Sequence, residues 1–203
     1  QKIGFDKNPF SFLFNKKIKH VISTTNLATH EIERNHQLIA SLTDEFPAKP
    51  VLYPSEKDKA AVRHLKNQPY IVVAPTSVWF TKQFPSDKWV HFINKVPSGI
   101  KIYLIGAAGD KELCNEICNN TTHLYVHNLC GQYNFLQSAS LQKDALMNYV
   151  NDSAPMHFAS AMNAPVTAVY CSTLPSFGFG PLSDKSFVVE VKETLECRPC
   201  GLH

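Results

Sequence analysis

The 203-residue sequence predicts an α/β fold in which a parallel sheet carries helices on both faces. Three observations lead there. Short apolar runs recur from residue 70 onward, a turn rich in Gly, Pro, Ser, Asn or Asp follows most of them, and the turn opens an amphipathic segment of helical length. Strands separated by such segments run parallel, because each helix carries the chain back to the end of the sheet where it began.

The elements follow in order. Tyr70-Ile-Val-Val-Ala74 is a strand closed by Pro75. Ser86 and Asp87 open a helix with Trp89, Phe92, Ile93 and Val96 on one face, and Pro97-Ser98-Gly99 ends it. Ile100–Ile105 is a second strand, Gly106-Ala-Ala-Gly109 a tight turn, and Asp110 the cap of a helix reaching Cys118, with Leu113, Cys114 and Ile117 inward. His123–Val126 reads as a strand, and Ser138–Met147 as a helix with Leu141, Ala145 and Leu146 facing the core. Met147–Val150 is a buried strand, followed by Asn151-Asp152-Ser153-Ala154-Pro155-Met156-His157 and a short helix to about Met162. Val166–Tyr170 and Phe187–Val191 complete the strands.

The front differs. Lys2–Phe5 is a short strand, a Phe-rich loop follows, and His30–Asn35 leads into a helix with Ile32, Ile39 and Leu42 on one face. Pro47–Pro54 reads as an extended linker and Ser55–Lys66 as a charged, exposed helix. The domain reading is therefore 1–46 as the tail of a preceding domain, 47–69 as linker and exposed helix, and 70–203 as a Rossmann-like domain. The chain begins with Gln1 rather than Met, which reads as part of a longer protein.

Composition narrows the class. Hydrophobic content is 44% with 13 prolines, and neither a membrane-spanning apolar run nor a signal-peptide pattern appears. Residues 1–70 hold 11 Lys and Arg against 7 Asp and Glu, and residues 71–203 hold 9 against 10. The basic front, with Phe5, Phe10, Phe12, Phe14, Lys16, Lys17 and Lys19, reads either as a solvated loop or as a face for an acidic acceptor or membrane surface. Its charge is too weak to argue for nucleic acid. Six irregularly spaced cysteines do not make a secreted disulfide framework, so a reduced, cytoplasmic protein fits. Cys114 and Cys118 read as packing residues. Cys197, Cys200 and His203 have ligand-like spacing, but three candidates fall short of the four that a structural zinc needs.

Three loops belong on one rim, since ligands of parallel sheets bind at the carboxyl ends of the strands. In Asn151–His157, Asp152 or Ser153 is the N-cap and Pro155 sits early, so the first-turn N–H groups and the helix dipole suit a phosphate. A capped helix without ligand is the competing reading. Thr76-Ser77-Val-Trp79-Phe-Thr81-Lys82 offers hydroxyls and one ammonium as a diphosphate clamp, without the Gly-x-x-x-x-Gly-Lys of a P-loop. Gly106–Asp110 lacks the Gly-x-Gly-x-x-Gly dinucleotide fingerprint, and Asp110 reads as a cap or as a nucleoside ligand. His157 either faces the pocket or buttresses the turn. These loops show no Ser/His/Asp set or paired carboxylates.

The run Asn151-Asp-Ser-Ala-Pro-Met-His-Phe-Ala-Ser-Ala-Met-Asn-Ala-Pro-Val-Thr-Ala-Val-Tyr170 resembles the signature of glycosyltransferase family 9, the ADP-heptose:lipopolysaccharide heptosyltransferases. Thr76-Ser77-x-Trp79-x-Thr81-Lys82-x-Phe84-Pro85 resembles its second signature, and Asn128-Leu-Cys-Gly131 with Ser138-Ala-Ser-Leu141 its third. His30-Glu-Ile-Glu-Arg-Asn35 and Cys197-x-x-Cys200-Gly match the stretches before the linker and after the last strand, so the likeness covers nearly the whole chain. It implies a GT-B architecture with an incomplete first domain, and heptose transfer with inversion from ADP-heptose to the lipopolysaccharide inner core of a Gram-negative bacterium. Carried over, Thr76, Ser77 and Lys82 hold the diphosphate, with Thr81 among the donor-binding residues, and Lys82 stabilises the departing ADP. Asn151, Asp152, Ser153, Ala154, Pro155 and His157 form the donor turn, with Asp152 on the sugar hydroxyls and Asp110 near the nucleoside. No cofactor is required, and Mg is an open addition without a visible site. The implied partners are the ADP-heptose donor and the lipopolysaccharide core acceptor, with no nucleic acid and an open question of peripheral contact with the inner membrane. Ala154 departs from the glycine of many members. The general base falls upstream of residue 1, so no turnover is expected of this chain alone. The alternatives are another GT-B nucleotide-sugar enzyme or a non-catalytic nucleotide-binding module.

Overall fold

The computed structural model describes residues 2–22 and 29–200. Two compact units form, one from the segment ending at Lys49 together with Leu174–Gly180, the other from Pro50–Thr173 and the segment starting at Pro181.

In the first unit β1 (Ile3–Phe5) pairs in parallel with β2 (Lys16–Ile18), a strand hidden in the sequence by its lysines. The Phe-rich loop between them leaves Phe10 and Phe12 largely exposed. Helix α1 (Glu31–His36) starts at His30, whose Nδ1 accepts the Ile32 N–H, while the Glu33 carboxylate accepts the His30 N–H. Burial lowers the His30 pKa, which keeps the imidazole neutral and Nδ1 an acceptor. The buried Arg34 guanidinium donates to Glu31 and to the carbonyls of Thr29 and Phe177. The helix stops earlier than the apolar spacing predicts. Past His36 the chain tightens into turns, and Ile39 and Leu42 stand exposed instead of continuing a face.

The second unit opens with α2 (Glu56–Val62), capped reciprocally by Ser55 and Asp58. Its lysines and Glu56 are exposed as its charges predict, but its other face is not: Val62 is fully buried, and α2 packs on α5 (Phe135–Lys143). Only one face of α2 is charged, and the apolar positions on the other are too few to register as a stripe. The six-stranded sheet comprises β3 (Tyr70–Ala74), β4 (Lys101–Leu104), β5 (Val126–Asn128), β6 (Asn148–Asn151), β7 (Val166–Tyr170) and β8 (Ser186–Glu190), all parallel, in the order β5-β4-β3-β6-β7-β8. From β3 the chain winds outward through β4 and β5, then returns to lay β6 on the opposite side of β3. That reversal is the switch point at which such sheets open a crevice.

Strand alternation divides the core. Tyr70, Val72 and Ala74 face one layer with Val62 of α2, Leu141 of α5 and Met156 and Ala159 of α6 (Ala154–Ala161). Ile71 and Val73 face the other layer, with Trp89 and Ile93 of α3 (Ser86–Ile93) and Cys114 and Ile117 of α4 (Lys111–Asn120). Each fully buried aliphatic side chain contributes roughly 1.5–3 kcal/mol.

Several expected boundaries move. The third strand covers Val126–Asn128 rather than His123–Val126, because Thr121 and His123 accept nearby backbone N–H groups and hold a turn. Helix α5 begins at Phe135, set by a reciprocal cap between Asn134 and Gln137, and ends before Ala145. Leu146 is therefore half-exposed rather than in the core. Asp110 does not cap α4. Its carboxylate turns back to accept the Ala107 N–H at 2.7 Å.

The Ser55–Asp58 cap carries a pH signature. The Ser55 hydroxyl and backbone N–H hold the Asp58 carboxyl below the usual carboxylate range. A depressed folded-state pKa gives stability that is complete above the unfolded value and lost as pH falls through the folded one. Thermal melts of Asp58→Asn should fall below those of the parent at neutral pH, with the gap closing in acid. A gap independent of pH would exclude this linkage.

Candidate functional site

The carboxyl ends of β3 and β6 carry the predicted loops, and the structure brings most of them together. A cleft of about 550 Å³ is lined by Thr76, Ser77, Asp110, Ser153, Ala154 and Pro155. A larger cavity, about 730 Å³, lies under α3 among mid-strand residues such as Tyr149, Thr167 and Val189. It is lined along α3 and the turn after it, from Asp87 to Lys95, and lacks convergent loop hydroxyls, so the smaller cleft at the switch point is the candidate site.

Each wall has a local cause. Pro75 ends β3 because it has no N–H to give the ladder, and Thr76 is buried directly after it. Helix α6 begins at Ala154 with Ser153 at the N-cap and Pro155 in its first turn. Ser153 does not cap with its side chain. Its hydroxyl contacts the Asn151 carbonyl at 3.4 Å; Pro155 has no N–H and the Met156 N–H donates to the Ser153 carbonyl at 3.0 Å, so the first turn offers a ligand the Ala154 N–H and the helix dipole.

The opposite wall is the turn after β4 against the turn after β5. The Gly131 N–H donates to the Gly106 carbonyl at 3.0 Å. A Cβ on Gly106 would stand 2.8 Å from the Asp110 carboxylate, and Gly131 adopts a positive φ of 72°. Asp110 lines the cleft while one carboxylate oxygen braces its own turn.

Lys82 closes a 3-10 turn (Phe80–Lys82), and its Nζ lies 2.8 Å from Asp152 Oδ2, both side chains being about nine-tenths buried. The same oxygen accepts the Thr173 hydroxyl at 2.7 Å, and Thr173 is buried. An ammonium has three donors, so Lys82 can keep Asp152 and still meet a phosphate oxygen. Asn151 is fully buried, with its amide bonded to backbone at Pro75 and Phe84. Thr81 and His157 are exposed, and neither they nor Lys82, Asn151 and Asp152 line the cleft.

Sequence reasoning missed the aromatic side of the cleft. Tyr133, Phe135 and Phe158 line it, and the rings of Phe135, at the start of α5, and Phe158, midway along α6, sit 5.4 Å apart. The Asn134…Gln137 cap was the legible sign that Phe135 starts a helix, but nothing in the sequence brings it to Phe158. Thr173 was missed too, lying three residues past the end of β7. Among the described residues no group of three His, Cys, Asp or Glu side chains is placed to hold a metal ion. Cys197 and Cys200 are exposed, and His203 lies outside the described residues.

A sequence model of glycosyltransferase family 9 (heptosyltransferase) matches residues 1–201. Lipopolysaccharide heptosyltransferase 2 of Escherichia coli is 31% identical over 116 residues, covering 53% of this chain and 33% of that protein. Lipopolysaccharide heptosyltransferase 3 of Escherichia coli is 28% identical over 164 residues, 74% and 48% of the two. Among solved structures, E. coli ADP-heptose lps heptosyltransferase II aligns with a TM-score of 0.70 at 24% identity, over 85% of this chain and 59% of that one. An E. coli heptosyltransferase solved with ADP aligns at 0.67 and 25% identity, over 93% and 59%. The matches span from a third to under two thirds of these relatives' lengths. The fold is mixed α/β with a parallel sheet, and these structural neighbours are GT-B heptosyltransferases.

Proposed function

Because this chain belongs to glycosyltransferase family 9, we propose that it is the donor-binding part of a heptosyltransferase that takes heptose from ADP-heptose to a lipopolysaccharide core. One observation carries this reading. Thr76, Ser77 and Val78 at the start of the loop and Ser153, Ala154 and Pro155 at the start of α6 line a single cleft, and behind that lining the loop's Lys82 is held against Asp152. Hydroxyls, one ammonium and a helix dipole are the groups a diphosphate needs, and they favour the transition state in which negative charge gathers on the leaving ADP. Thr76, Ser77 and Lys82 would take the diphosphate oxygens, Ser153–Pro155 would present the helix start, and Asp152 would meet the sugar hydroxyls. Tyr133, Phe135 and Phe158 would give the apolar surface for the base. The site needs no metal in this scheme, since Lys82 and the dipole supply the positive charge.

The donor domain in this proposal is residues 70–203, with 1–46 belonging to the acceptor side. Exposed Phe10, Phe12 and Leu13 beside Lys7, Lys16 and Lys17 support a cytoplasmic enzyme that touches the inner membrane peripherally. No helix among the described residues is long and apolar enough to cross a membrane.

Calorimetric titration with ADP-heptose, UDP-glucose and NAD tests the reading. Binding is expected for ADP-heptose alone. Preference for UDP-glucose would keep a nucleotide-sugar site but change the enzyme, and preference for NAD would overturn the proposal.

A further inference from the structure

Resting on the donor-site reading above, we propose that Asn151 is a positioning residue: a clasp that sets the Thr76–Lys82 loop rather than a contact to the donor. The backbone ladder between β3 and β6 runs from Val72↔Asn148 to Ala74↔Val150 and stops, because the next residue on β3 is Pro75. The side chain of the next residue on β6 continues it. Asn151 Nδ2 donates to the Pro75 carbonyl at 2.8 Å, with the Ala74 and Thr76 carbonyls at 3.5 and 3.4 Å. Its Oδ1 accepts the Phe84 N–H at 3.0 Å. One buried amide therefore holds both ends of the loop from Pro75 to Phe84, and Gln83 Nε2 braces the interior by donating to the Ser77 carbonyl at 2.7 Å.

The residue type is the one this geometry requires. A side-chain amide carries a donor and an acceptor on two separate atoms of one planar group, so it can donate to the Pro75 carbonyl and accept the Phe84 N–H at the same time. A carboxylate would set its oxygens against three carbonyl oxygens, and a leucine would leave the Pro75 carbonyl and Phe84 N–H buried and unpaired. The chain then places Asp152 directly after the clasp, within 2.8 Å of Lys82 from the loop. Asn151 thus couples the loop's departure angle to the ion pair and holds the diphosphate groups in place before the ligand arrives.

The test uses Asn151→Ala and the isosteric Asn151→Asp in this chain, with ADP and adenosine as probes. ADP is expected to bind about tenfold more weakly to either variant, the value of a lost hydrogen-bond pair, while adenosine affinity stays within roughly twofold. Exchange of the Phe84 amide hydrogen should accelerate in Asn151→Ala but not in Asn151→Asp, which keeps the acceptor. Parallel loss of ADP and adenosine binding would mean general structural support and overturn the proposal, as would unchanged ADP affinity. If the parent chain does not prefer ADP to adenosine, the donor-site reading fails. Acylation of the Lys82 amine then decides the clasp: faster labelling in both variants upholds it, and an unchanged rate overturns it. Should Asn151→Ala fail to fold, Asn151→Asp carries the comparison.

Discussion

Lys82→Ala is expected to weaken ADP binding by about 10- to 150-fold, the range for losing hydrogen bonds to a charged group. It should also destabilise the second unit, and the two effects have different origins. Lys82 and Asp152 are both nearly buried, so removing the ammonium leaves a carboxylate whose remaining partner among the described residues is the Thr173 hydroxyl. Breaking such a pair from one side costs about 3 kcal/mol or more, because the charge left behind is neither solvated nor compensated. Lys82→Met with Asp152→Asn separates the terms. Removing both charges should restore most of the stability, while ADP binding stays weak because the cation is still missing. Chemical denaturation and calorimetry on the parent, two single variants and the double variant give the complete cycle. If stability and affinity return together in the double variant, Lys82 acts only as a structural partner of Asp152.

The strands were legible because a parallel sheet covered on both faces needs near-continuous apolar runs, and Tyr70–Ala74 and Val166–Tyr170 are such runs. Helix limits were less so. Asn134 and Gln137 start α5 three residues before the expected point, and Ile39 and Leu42 had helical spacing without a helix to carry them. Hydrophobic period does not say where local hydrogen bonds end an element. At the site, spacing found Thr76, Ser77, Asp110 and Ser153–Pro155, since loops after parallel strands meet on one rim. It could not sort Asn151 from Asp152. Both are short polar residues in one turn, and only the packed structure shows one turned to backbone and the other to Lys82. Phe135, Phe158 and Thr173 were hidden because their proximity to the site depends on how separate elements pack, which no local pattern encodes.

Gly131→Ala should be the most damaging single-methyl change in the cleft, and Gly109→Ala in the facing turn the mildest. A Cβ on Gly131 would lie 2.8 Å from Ala108 Cα, and its φ of 72° is one that L side chains rarely adopt. The obstacle is backbone, so the turn after β4 must move, and the hydrogen bond from Gly131 N–H to the Gly106 carbonyl moves with it. Strain of this kind costs on the order of 1–3 kcal/mol, and the same shift displaces Ala108 and Asp110, which line the cleft. Stability and ADP affinity should therefore fall together. Gly109 has nothing within 4 Å of where its Cβ would stand and no positive φ. Replacing it restricts the unfolded chain and should stabilise by about 0.4–1 kcal/mol without touching affinity. Because Gly109 is the chain neighbour of Ala108, the residue that Gly131 approaches, the contrast isolates backbone approach from any general sensitivity of the loops. Equal effects from the two substitutions would mean that the close packing of these turns does not shape the nucleotide side of the cleft.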